Sequence, residues 1–417
     1  MKIAFYAPLK PPSHPRPSGD RRLARHFIAA LKLAGFTVEV ASELRAWEGD
    51  GEAHRQADIE AQGKREAARL LADYRARPAS KRPRAWFTYH LYHKAPDWLG
   101  PAVSAALGIP YIAAEASIAA KQKHGAWSRG YDESAAAAAA ARLIFNLNSN
   151  DLPGLRAHGV DESRIVQLKP FAEIPAPAAV AKSPPDKTQL RRNLGARFGI
   201  DPAARWLLCV AMLRGGDKRE SYRILANAAG RLRCDDWRLI LIGDGTAAAD
   251  IEAEFARQLP ELPAPAPAAA RGPAATVAGR VHFLGRLPGD AVFDWLRAGD
   301  LFVWPAYNEA FGMATLEAMA CGLPVVAGRW RDGGGGISDI VEHAVTGVLV
   351  ERPDQDGGAA FAAAVEELLG SPAKRSAMAM AAADKFNRLH RLEHAAAEIR
   401  KALLPLLAPV DAVDSFD

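Results

Sequence analysis

The sequence predicts an α/β protein built from two doubly wound domains, and three observations carry this prediction. Short apolar runs typical of buried strands alternate with segments of helical periodicity along most of the chain. The alternation occurs as two series, separated by a segment rich in alanine and proline at residues 175–185. The length of 417 residues suits two or three domains. Because such sheets bind ligands at the carboxyl ends of their strands, we expect two Rossmann-like domains facing each other across a cleft.

The first series begins with a β-α-β unit. A strand at 2–6, a proline-rich loop at 8–19, a helix at 20–34 and a strand at 37–41 follow one another, which implies parallel strands. A charged helix is predicted at 52–74. Further apolar runs predict strands at 85–89, 110–114, 143–147 and 165–168.

The second series repeats the alternation after the expected linker. Apolar runs predict strands at 206–210, 238–242, 281–284, 301–304 and 324–327, with a helix at 222–232. Residues 262–278 are dominated by alanine and proline and predict an exposed insertion. One amphipathic helix is predicted at 373–407, followed by an acidic tail. We therefore expect an N-terminal domain at 1–180, a C-terminal domain at 188–385, and a terminal segment at 386–417 that packs back on the first domain.

Composition excludes several other classes of protein. Hydrophobic residues make up 49% of the chain and charged residues 24%, which is ordinary for folded domains and excludes disorder throughout. No uncharged apolar run has the length of a membrane span, and the first residues do not resemble a signal peptide. Three widely spaced cysteines form neither a disulfide framework nor a metal cluster. We therefore expect a cytoplasmic protein.

Two groups of basic residues lie in the first quarter of the chain. The formal net charge of +5 is mild for this length and does not indicate nucleic-acid binding. One basic group spans residues 10–25 and the other spans 64–84. The second group fits either solvated helix faces or a surface that meets anionic lipid or a phosphorylated acceptor. Peripheral contact with the inner membrane face stays open on this basis.

Residues 308–326 carry the motif with the most specific spacing, NEAFGMATLEAMACGLPVV, directly after the strand predicted at 301–304. Gly312 lets the backbone approach a ligand where a helix begins, and a helix N-terminus attracts anions. Glu309 before the helix and Glu317 in its second turn can accept hydrogen bonds from hydroxyls on either side of a bound phosphate. The spacing alone fits equally well an ordinary strand, loop and helix with surface glutamates.

This motif resembles the donor signature of the family-4 retaining glycosyltransferases, which have the GT-B fold. The turn that contains Gly243 and the segments 281–285, 335–341 and 346–350 resemble other parts of that family in the same order. The resemblance covers residues 200–355 strongly and earlier residues more weakly. It implies that Glu309 contacts the transferred sugar and Glu317 the nucleotide ribose. It also implies that the diphosphate is held by the backbone of Phe311, Gly312, Met313 and Ala314.

The resemblance also assigns cations and a glycine to the donor. The family has an arginine and a lysine in the loop after the first strand of its second domain, where this chain has Arg214, displaced by two positions, and Lys218. Such cations would neutralise charge that builds on the leaving nucleoside diphosphate. Gly19 matches the family's glycine beside the donor, and it lies where Ser18 or Asp20 is also expected to cap a helix. No D-x-D pair directly follows any of the strands predicted above, so we expect no divalent metal, and the resemblance implies no cofactor.

The acceptor side departs from the family pattern. Many members carry a histidine soon after a G-I-P element, whereas the equivalent segment here runs 108–117 without one, and Glu115 is its nearest polar residue. Glu115 fits a base acting on the acceptor hydroxyl and equally a structural residue. His90 and His93, in a loop after the strand at 85–89, fit either an acceptor pocket or plain loop histidines.

These features predict an enzyme of class EC 2.4. It would be a metal-independent retaining glycosyltransferase that moves a hexosyl-type sugar from a nucleotide-diphosphate donor to a glycan or lipid-linked acceptor, as in polysaccharide biosynthesis. The missing histidine and displaced arginine leave a second hypothesis open, a catalytically silent GT-B protein that binds a nucleotide sugar or a partner enzyme. A sugar-nucleotide epimerase and a dinucleotide oxidoreductase have weaker support, because the glycine pattern at 243–245 is only a fragment of a dinucleotide fingerprint.

Overall fold

The computed structural model describes residues 1–16, 18–174, 186–259, 275–309, 311–330 and 335–407. The expected linker at 175–185, most of the expected insertion at 262–278 and the acidic tail lie outside the described residues. The chain forms two compact units: unit 1 contains Met1–Ala172 with Arg391–Asp417, and unit 2 contains Glu173–His390. The sequence placed these boundaries near residues 180 and 385 instead.

Unit 1 is a parallel sheet with helices packed on it. Its strands are β1 (Lys2–Tyr6), β2 (Thr37–Val40), β3 (Ala85–Tyr92), β4 (Tyr111–Ser117), β5 (Leu143–Asn146) and β6 (Ile165–Gln167). The helices between them are α1 (Gly19–Leu33), α2 (Ala53–Ala76), α3 (Gly100–Leu107), α4 (Ser128–Ala140) and α5 (Leu152–Ala157). The strand order is β2-β1-β3-β4-β5-β6, and every pairing is parallel.

Apolar side chains on the central strands explain why helices cover this sheet. The ring of Phe87 stacks on Phe5 with centroids 5.8 Å apart and on Phe145 with centroids 6.0 Å apart. Phe27 of α1 packs on the same ring at 5.5 Å, as the helical spacing of its apolar neighbours predicts. Because a parallel sheet is buried on both faces, near-continuous apolar runs such as β1 are what its strands require.

A buried carboxylate joins the end of β3 to the start of α3. Asp97 is fully buried and accepts hydrogen bonds from the backbone N–H groups of Leu99 and Gly100, at 2.9 and 2.8 Å. It also accepts from the hydroxyls of Thr88 and Tyr111. Four donors therefore satisfy one buried carboxylate, which ties β3, β4 and α3 together.

Unit 2 repeats the architecture with a longer sheet. Its strands are β7 (Arg205–Val210), β8 (Trp237–Ile242), β9 (Ala275–Val277), β10 (Val281–Phe283), β11 (Leu301–Trp304), β12 (Val325–Arg329) and β13 (Gly347–Glu351). Its helices are α6 (Lys187–Phe198), α7 (Asp217–Ala229), α8 (Ala248–Gln258), α9 (Gly289–Ala298), α10 (Met313–Ala320), α11 (Ala359–Gly370) and α12 (Pro372–Leu389). The strand order is β13-β12-β11-β7-β8-β10-β9, and only the pairing of β9 with β10 is antiparallel among the described strands.

A buried arginine fastens α6 to this second sheet. The Arg191 guanidinium donates to Asp300 at 2.8 Å and to the carbonyl of Ala298 at 2.9 Å, and it stacks on the ring of Trp206 at 4.5 Å. Asp300 in turn accepts from the backbone N–H of Trp206 at 2.8 Å. These contacts connect the starts of β7 and β11 to a helix that precedes both.

Several predicted elements differ from the structure. The strand predicted at 85–89 continues to Tyr92, so His90 lies within β3 and not in a loop after it. Part of the expected insertion, Ala275–Val277, forms β9, because its backbone pairs with β10 at the sheet edge. The helix predicted at 222–232 begins at Asp217, which places Lys218 in the first turn of α7.

The single helix predicted at 373–407 is two helices. It breaks after Leu389, and α13 (Leu392–Leu407) belongs to unit 1. There α13 packs along α1, and the Arg400 guanidinium donates to the carbonyl of Ala34 at 2.7 Å. An amphipathic pattern cannot reveal this break, because both helices keep an apolar face. None of the helices among the described residues is long and apolar enough to cross a membrane.

The Asp97 network gives a prediction about stability. Asp97→Ala would leave four buried donors without an acceptor, and we expect the unfolding free energy of unit 1 to fall by about 3–4 kcal/mol. Asp50→Ala is the control, because this exposed carboxylate contacts only the exposed Arg55, at 3.0 Å, in the contacts described. We expect the control to change stability by less than about 1 kcal/mol. Urea unfolding followed by tryptophan fluorescence measures both, and equal shifts for the two variants would contradict the network's role.

Candidate active site

Each sheet reverses its strand order beside its first strand. In unit 2, β7 lies between β8 and β11: the chain first builds outward through β8 and later returns to the other side of β7 with β11. In unit 1, β1 lies in the same way between β2 and β3. The loops that leave the two strands at such a point diverge and open a crevice at the carboxyl end of the sheet. Most of the predicted site residues follow these strands or the strands paired with them.

In unit 2 the crevice brings together two predicted residues that are 91 positions apart in sequence. The Lys218 ammonium, in the first turn of α7, forms an ion pair with the Glu309 carboxylate, in the loop after β11. The Trp304 indole also donates to Glu309 at 3.2 Å, and the ammonium lies 5.0 Å from the centre of that ring. Both charged side chains are about four-fifths buried. The structure therefore holds a cation and a carboxylate together at the switch point.

The loop that carries Glu309 is held by contacts from other parts of unit 2. The Ser221 hydroxyl of α7 accepts from the backbone N–H of Tyr307 at 2.9 Å, and the Trp330 indole donates to the carbonyl of Pro305 at 2.7 Å. Two residues of the loop, Ala306 and Asn308, have left-handed backbone conformations with φ of 56° and 49°. Such conformations are disfavoured for residues other than glycine, so surrounding contacts are needed to maintain them. Sequence patterns missed Ser221, Trp304 and Trp330, because their partners lie far away along the chain.

The predicted diphosphate site lies at the start of α10. Gly312 immediately precedes the helix with φ of 67°, and a Cβ there would lie 2.1 Å from Cδ1 of Ile337. Phe311, Met313 and Ala314 around it are partly exposed, so their backbone N–H groups can meet an anion. Glu317 lies one turn into the helix and is 2% exposed. The structure thus places Phe311 and Gly312 just before α10, Met313 and Ala314 at its start, and Glu317 one turn further on.

Gly243 and Arg214 lie in neighbouring turns of unit 2. A Cβ on Gly243 would lie 1.9 Å from the carbonyl oxygen of Ala211, so glycine is required for the turn after β8 to pack on the turn after β7. This packing accounts for Gly243 without a ligand. Arg214 is exposed, and its guanidinium makes no hydrogen bond or ion pair with the described residues. Among the described residues Arg214 makes no contact with the Lys218–Glu309 pair.

In unit 1, His90 and Glu115 face each other across β3 and β4. The register pairs Tyr89 with Ala114 and Leu91 with Ala116, so the two residues between these pairs are opposite one another. Both have left-handed backbones, with φ of 63° for His90 and 57° for Glu115. Two such irregularities at one position re-aim both side chains relative to the regular strand pattern. Sequence analysis named both residues but could not show that they form a pair.

Charged groups from several elements surround this pair. His90 Nδ1 lies 3.5 Å from Asp20 Oδ1 of α1 and 4.0 Å from Glu115 Oε2, and the Glu115 residue is 4% exposed. Burial opposes charging of His90, but the Glu115 and Asp20 carboxylates outweigh it and raise the pKa of His90. Burial likewise raises the pKa of Glu115, against the opposing effect of His90. The pair therefore holds a proton more tightly than the separate side chains would.

Gly19 and His93 lie at the edges of this region. Gly19 is the first residue of α1, which Ser18 caps by accepting from the Arg21 N–H at 3.2 Å. A Cβ on Gly19 would meet nothing within 4 Å, so packing within unit 1 does not explain the glycine. His93 is separated from His90 by the Tyr92 ring and packs against Trp127 with centroids 5.9 Å apart. Burial and nearby lysines lower the pKa of His93 to about 4.

Three of the eight cations in the basic group at 64–84 form ion pairs within unit 1. Lys64 pairs with Glu60, Arg69 pairs with Glu66, and Arg77 pairs with both Glu39 and Asp73. Arg75 and Arg82 donate to backbone carbonyl groups. The three paired cations fit a solvated helix surface, since paired cations attract an anionic surface less strongly. For the rest of the group both interpretations stay open.

Comparison with known proteins identifies the domain in unit 2. Residues 204–371 match a family model described as "Glycosyl transferases group 1". Similar curated proteins include the D-inositol 3-phosphate glycosyltransferases of Pseudarthrobacter chlorophenolicus (31% identical over 258 residues, 58% of this chain and 51% of that protein) and of Rhodococcus jostii (27% over 274 residues, 63% and 53%). The chain spans about half the length of these relatives. Residues 204–371 are therefore a group 1 glycosyltransferase domain.

Solved structures establish the fold of the whole chain. Anabaena Alr3699/HepE, whose structure contains UDP-glucose, is similar with a TM-score of 0.66 and 18% identity, over 97% of this chain and 99% of that one. Sucrose-phosphate synthase from Thermosynechococcus elongatus gives 0.69 and 18% with the same coverage, and the lipopolysaccharide glycosyltransferase WaaG gives 0.61 and 18% over 96% and 99%. The chain thus has the GT-B fold that its motif predicted.

The His90–Glu115 pair gives a prediction about pH. Both pKa values are raised by folding, so the unfolded chain releases its protons first as the pH rises, and the pair's contribution to stability falls above the ordinary pKa of Glu, 4.5. Glu115→Gln removes the titrating carboxyl. We expect the variant to gain roughly 1–2 kcal/mol relative to wild type between about pH 5 and about pH 8. Urea unfolding across this range measures the difference, and a constant difference would contradict the pairing.

Proposed function

We propose that this protein is a family-4 type retaining glycosyltransferase, which transfers a hexosyl sugar from a nucleoside-diphosphate donor to a glycan or lipid-linked acceptor without a metal ion. The observation that carries the proposal is the meeting of Lys218, Glu309 and the start of α10 at the switch point of unit 2. These groups offer a cation, a hydroxyl acceptor and free N–H groups within one crevice. The group 1 domain match and the GT-B fold support the same class.

In this proposal unit 2 binds the donor. The N–H groups at the start of α10 and the Lys218 ammonium stabilise the diphosphate, and this effect grows as negative charge builds on the leaving group. A lysine and a helix terminus supply the charge that a divalent ion would otherwise supply. Glu309, freed from part of its pairing with Lys218 when the phosphate binds, accepts from a sugar hydroxyl. Glu317 accepts from the ribose.

Transfer with retention follows from donor and acceptor meeting on the same face of the sugar. The departing phosphate oxygen takes the proton of the attacking hydroxyl, the bond from the anomeric carbon to the phosphate oxygen breaks, and a new bond to the acceptor oxygen forms. The protein contributes positioning and electrostatic stabilisation to this step. The Glu115 and His90 side chains of unit 1 orient the acceptor, and Gly19 leaves room beside them.

A catalytically silent nucleotide-sugar-binding protein is the alternative. Two observations favour it: Arg214 is exposed and contacts neither Lys218 nor Glu309 among the described residues, and the segment 108–117 lacks the histidine that many family members carry there. The two functions differ in one measurable property. Turnover of a donor sugar nucleotide, including slow hydrolysis in water, would exclude the silent protein.

The donor assignment predicts the effects of two variants on nucleotide affinity. Lys218→Gln removes the cation from the diphosphate site, and Glu317→Gln removes the carboxylate that would accept from the ribose. We expect each to weaken binding of UDP to the full chain at least tenfold, about 1.4 kcal/mol, in isothermal titration calorimetry. Arg219→Gln is the matched control for Lys218, because Arg219 is exposed one position further along α7. We expect UDP affinity to change less than twofold in this control.

A screen of sugar nucleotides identifies the nucleobase of the donor. Thermal shifts with UDP-, GDP- and ADP-sugars rank them, because a ligand at a hundredfold excess over its Kd stabilises by about 2.7 kcal/mol. The two variants are then measured with the nucleotide that binds most tightly. Wild-type affinity in both Lys218→Gln and Glu317→Gln would overturn the donor site, and no stabilisation by any of these nucleotides would overturn the proposed function.

A further inference from the structure

Two buried polar atoms in unit 1 face each other with a gap between them. Glu115 Oε2 and His90 Nδ1 each lack a hydrogen-bond partner among the described residues, and they lie 4.0 Å apart. This separation is too long for a hydrogen bond between them. An oxygen atom placed about 2.8 Å from each would bridge the two. A buried polar atom without a hydrogen-bond partner lowers stability. Two such atoms on either side of one gap therefore indicate the position of a ligand atom that would bond to both.

The chemistry of the pair selects the kind of ligand atom. A carboxyl and an imidazole that share one proton present one donor and one acceptor, whichever of the two carries the proton. A hydroxyl matches this arrangement, because it can accept from one and donate to the other. A phosphate oxygen at neutral pH only accepts, and an ammonium group only donates.

The charges around the gap discriminate further. Asp20 and Asp151 act on His90 together with Glu115, and the cation Lys10 acts on Asp20. Around a pair that shares one proton, the two carboxylates Asp20 and Asp151 thus outnumber the one cation Lys10, and Asp20 Oδ1 lies 3.5 Å from the imidazole Nδ1. A phosphate dianion brought into this field would be repelled by the carboxylates. A neutral group meets no such barrier.

We propose that the Glu115–His90 pair binds one hydroxyl of a neutral sugar or polyol ring of the acceptor, and that this position rejects a phosphorylated ring. The inference rests on the proposed function and specifies the acceptor's chemistry. It sets this chain apart from the curated relatives, whose names specify a phosphorylated polyol as acceptor. The acceptor ring is recognised by hydrogen bonding to an uncharged group in unit 1.

Two matched pairs of probes test this in the full chain. They are myo-inositol with D-inositol 3-phosphate, and methyl α-D-glucopyranoside with glucose 6-phosphate, each measured by saturation-transfer NMR in the presence of saturating UDP. In at least one pair we expect the neutral member to bind and its phosphorylated partner to bind at least tenfold more weakly. Tighter binding of the phosphorylated members overturns the inference, and so does the absence of binding by both neutral members, which would leave only water at the gap.

Three variants separate hydrogen bonding from charge. Glu115→Met and His90→Phe each remove one partner of the hydroxyl, and we expect at least fivefold weaker binding of the neutral probe. Glu115→Gln keeps a hydrogen-bonding group without the charge. We expect this variant still to bind the neutral probe, and we expect a smaller ratio between its affinities for the neutral and the phosphorylated probes. Asp50→Asn is the control on an exposed carboxylate of the same unit. Unchanged neutral binding in both Glu115→Met and His90→Phe overturns the inference.

UDP affinity distinguishes this failure from failure of the proposed function. Circular dichroism and UDP calorimetry are run on each variant, and we expect wild-type values because the pair lies in unit 1 and the donor residues lie in unit 2. Wild-type UDP binding without neutral-probe binding refutes the acceptor inference alone. Absence of binding by every nucleotide of the screen in the unmodified chain refutes the proposed function.

Discussion

Parallel pairing of strands is the constraint on which both sites depend. It points every strand of a sheet the same way, so the loops after the strands gather at one edge, and the reversal of strand order beside β1 and β7 opens that edge. Lys218 and Glu309 meet because β7 and β11 are neighbours. His90 and Glu115 meet because β3 and β4 are in register. Neither pair is close in sequence. The position of each pair therefore depends on the apolar packing that holds its strands together.

The two crevices share a topology but differ in electrostatic character. In unit 2 a lysine, a tryptophan N–H and a helix N-terminus supply positive potential, and one glutamate balances the lysine. In unit 1 carboxylates outnumber cations around a histidine. Positive potential favours a phosphate in the first setting, and the carboxylates oppose one in the second. Under the proposed function, this difference would assign the charged donor to unit 2 and an uncharged acceptor group to unit 1.

The sequence predicted the fold and the loop and helix that carry the motif at 308–326, because both have local signals. Apolar runs mark β1 and β11, and the spacing from Glu309 to Glu317 follows from one loop and one helical turn. The extension of β3 through His90 and the break after Leu389 were not predictable, since a left-handed residue within a strand and a change of packing partner leave no periodic trace. The roles of Ser221 and Trp330 were also hidden, because each acts on a loop about 25 to 90 residues away.

The contacts of Ser221 and Trp330 explain how the loop after β11, which carries the Glu309 carboxylate, keeps a strained backbone. Ala306 and Asn308 each adopt a backbone conformation that costs roughly 1–2 kcal/mol. The hydrogen bonds from Tyr307 to Ser221 and from Trp330 to Pro305 each contribute about as much in return. The free energies of backbone strain and hydrogen bonding in this loop thus nearly cancel. Glu309 keeps its place because α7, β11 and the residue after β12 all contact the loop. A loop held by three elements fixes the backbone of Glu309, so any change on ligand binding falls on its side chain and on the pairing with Lys218.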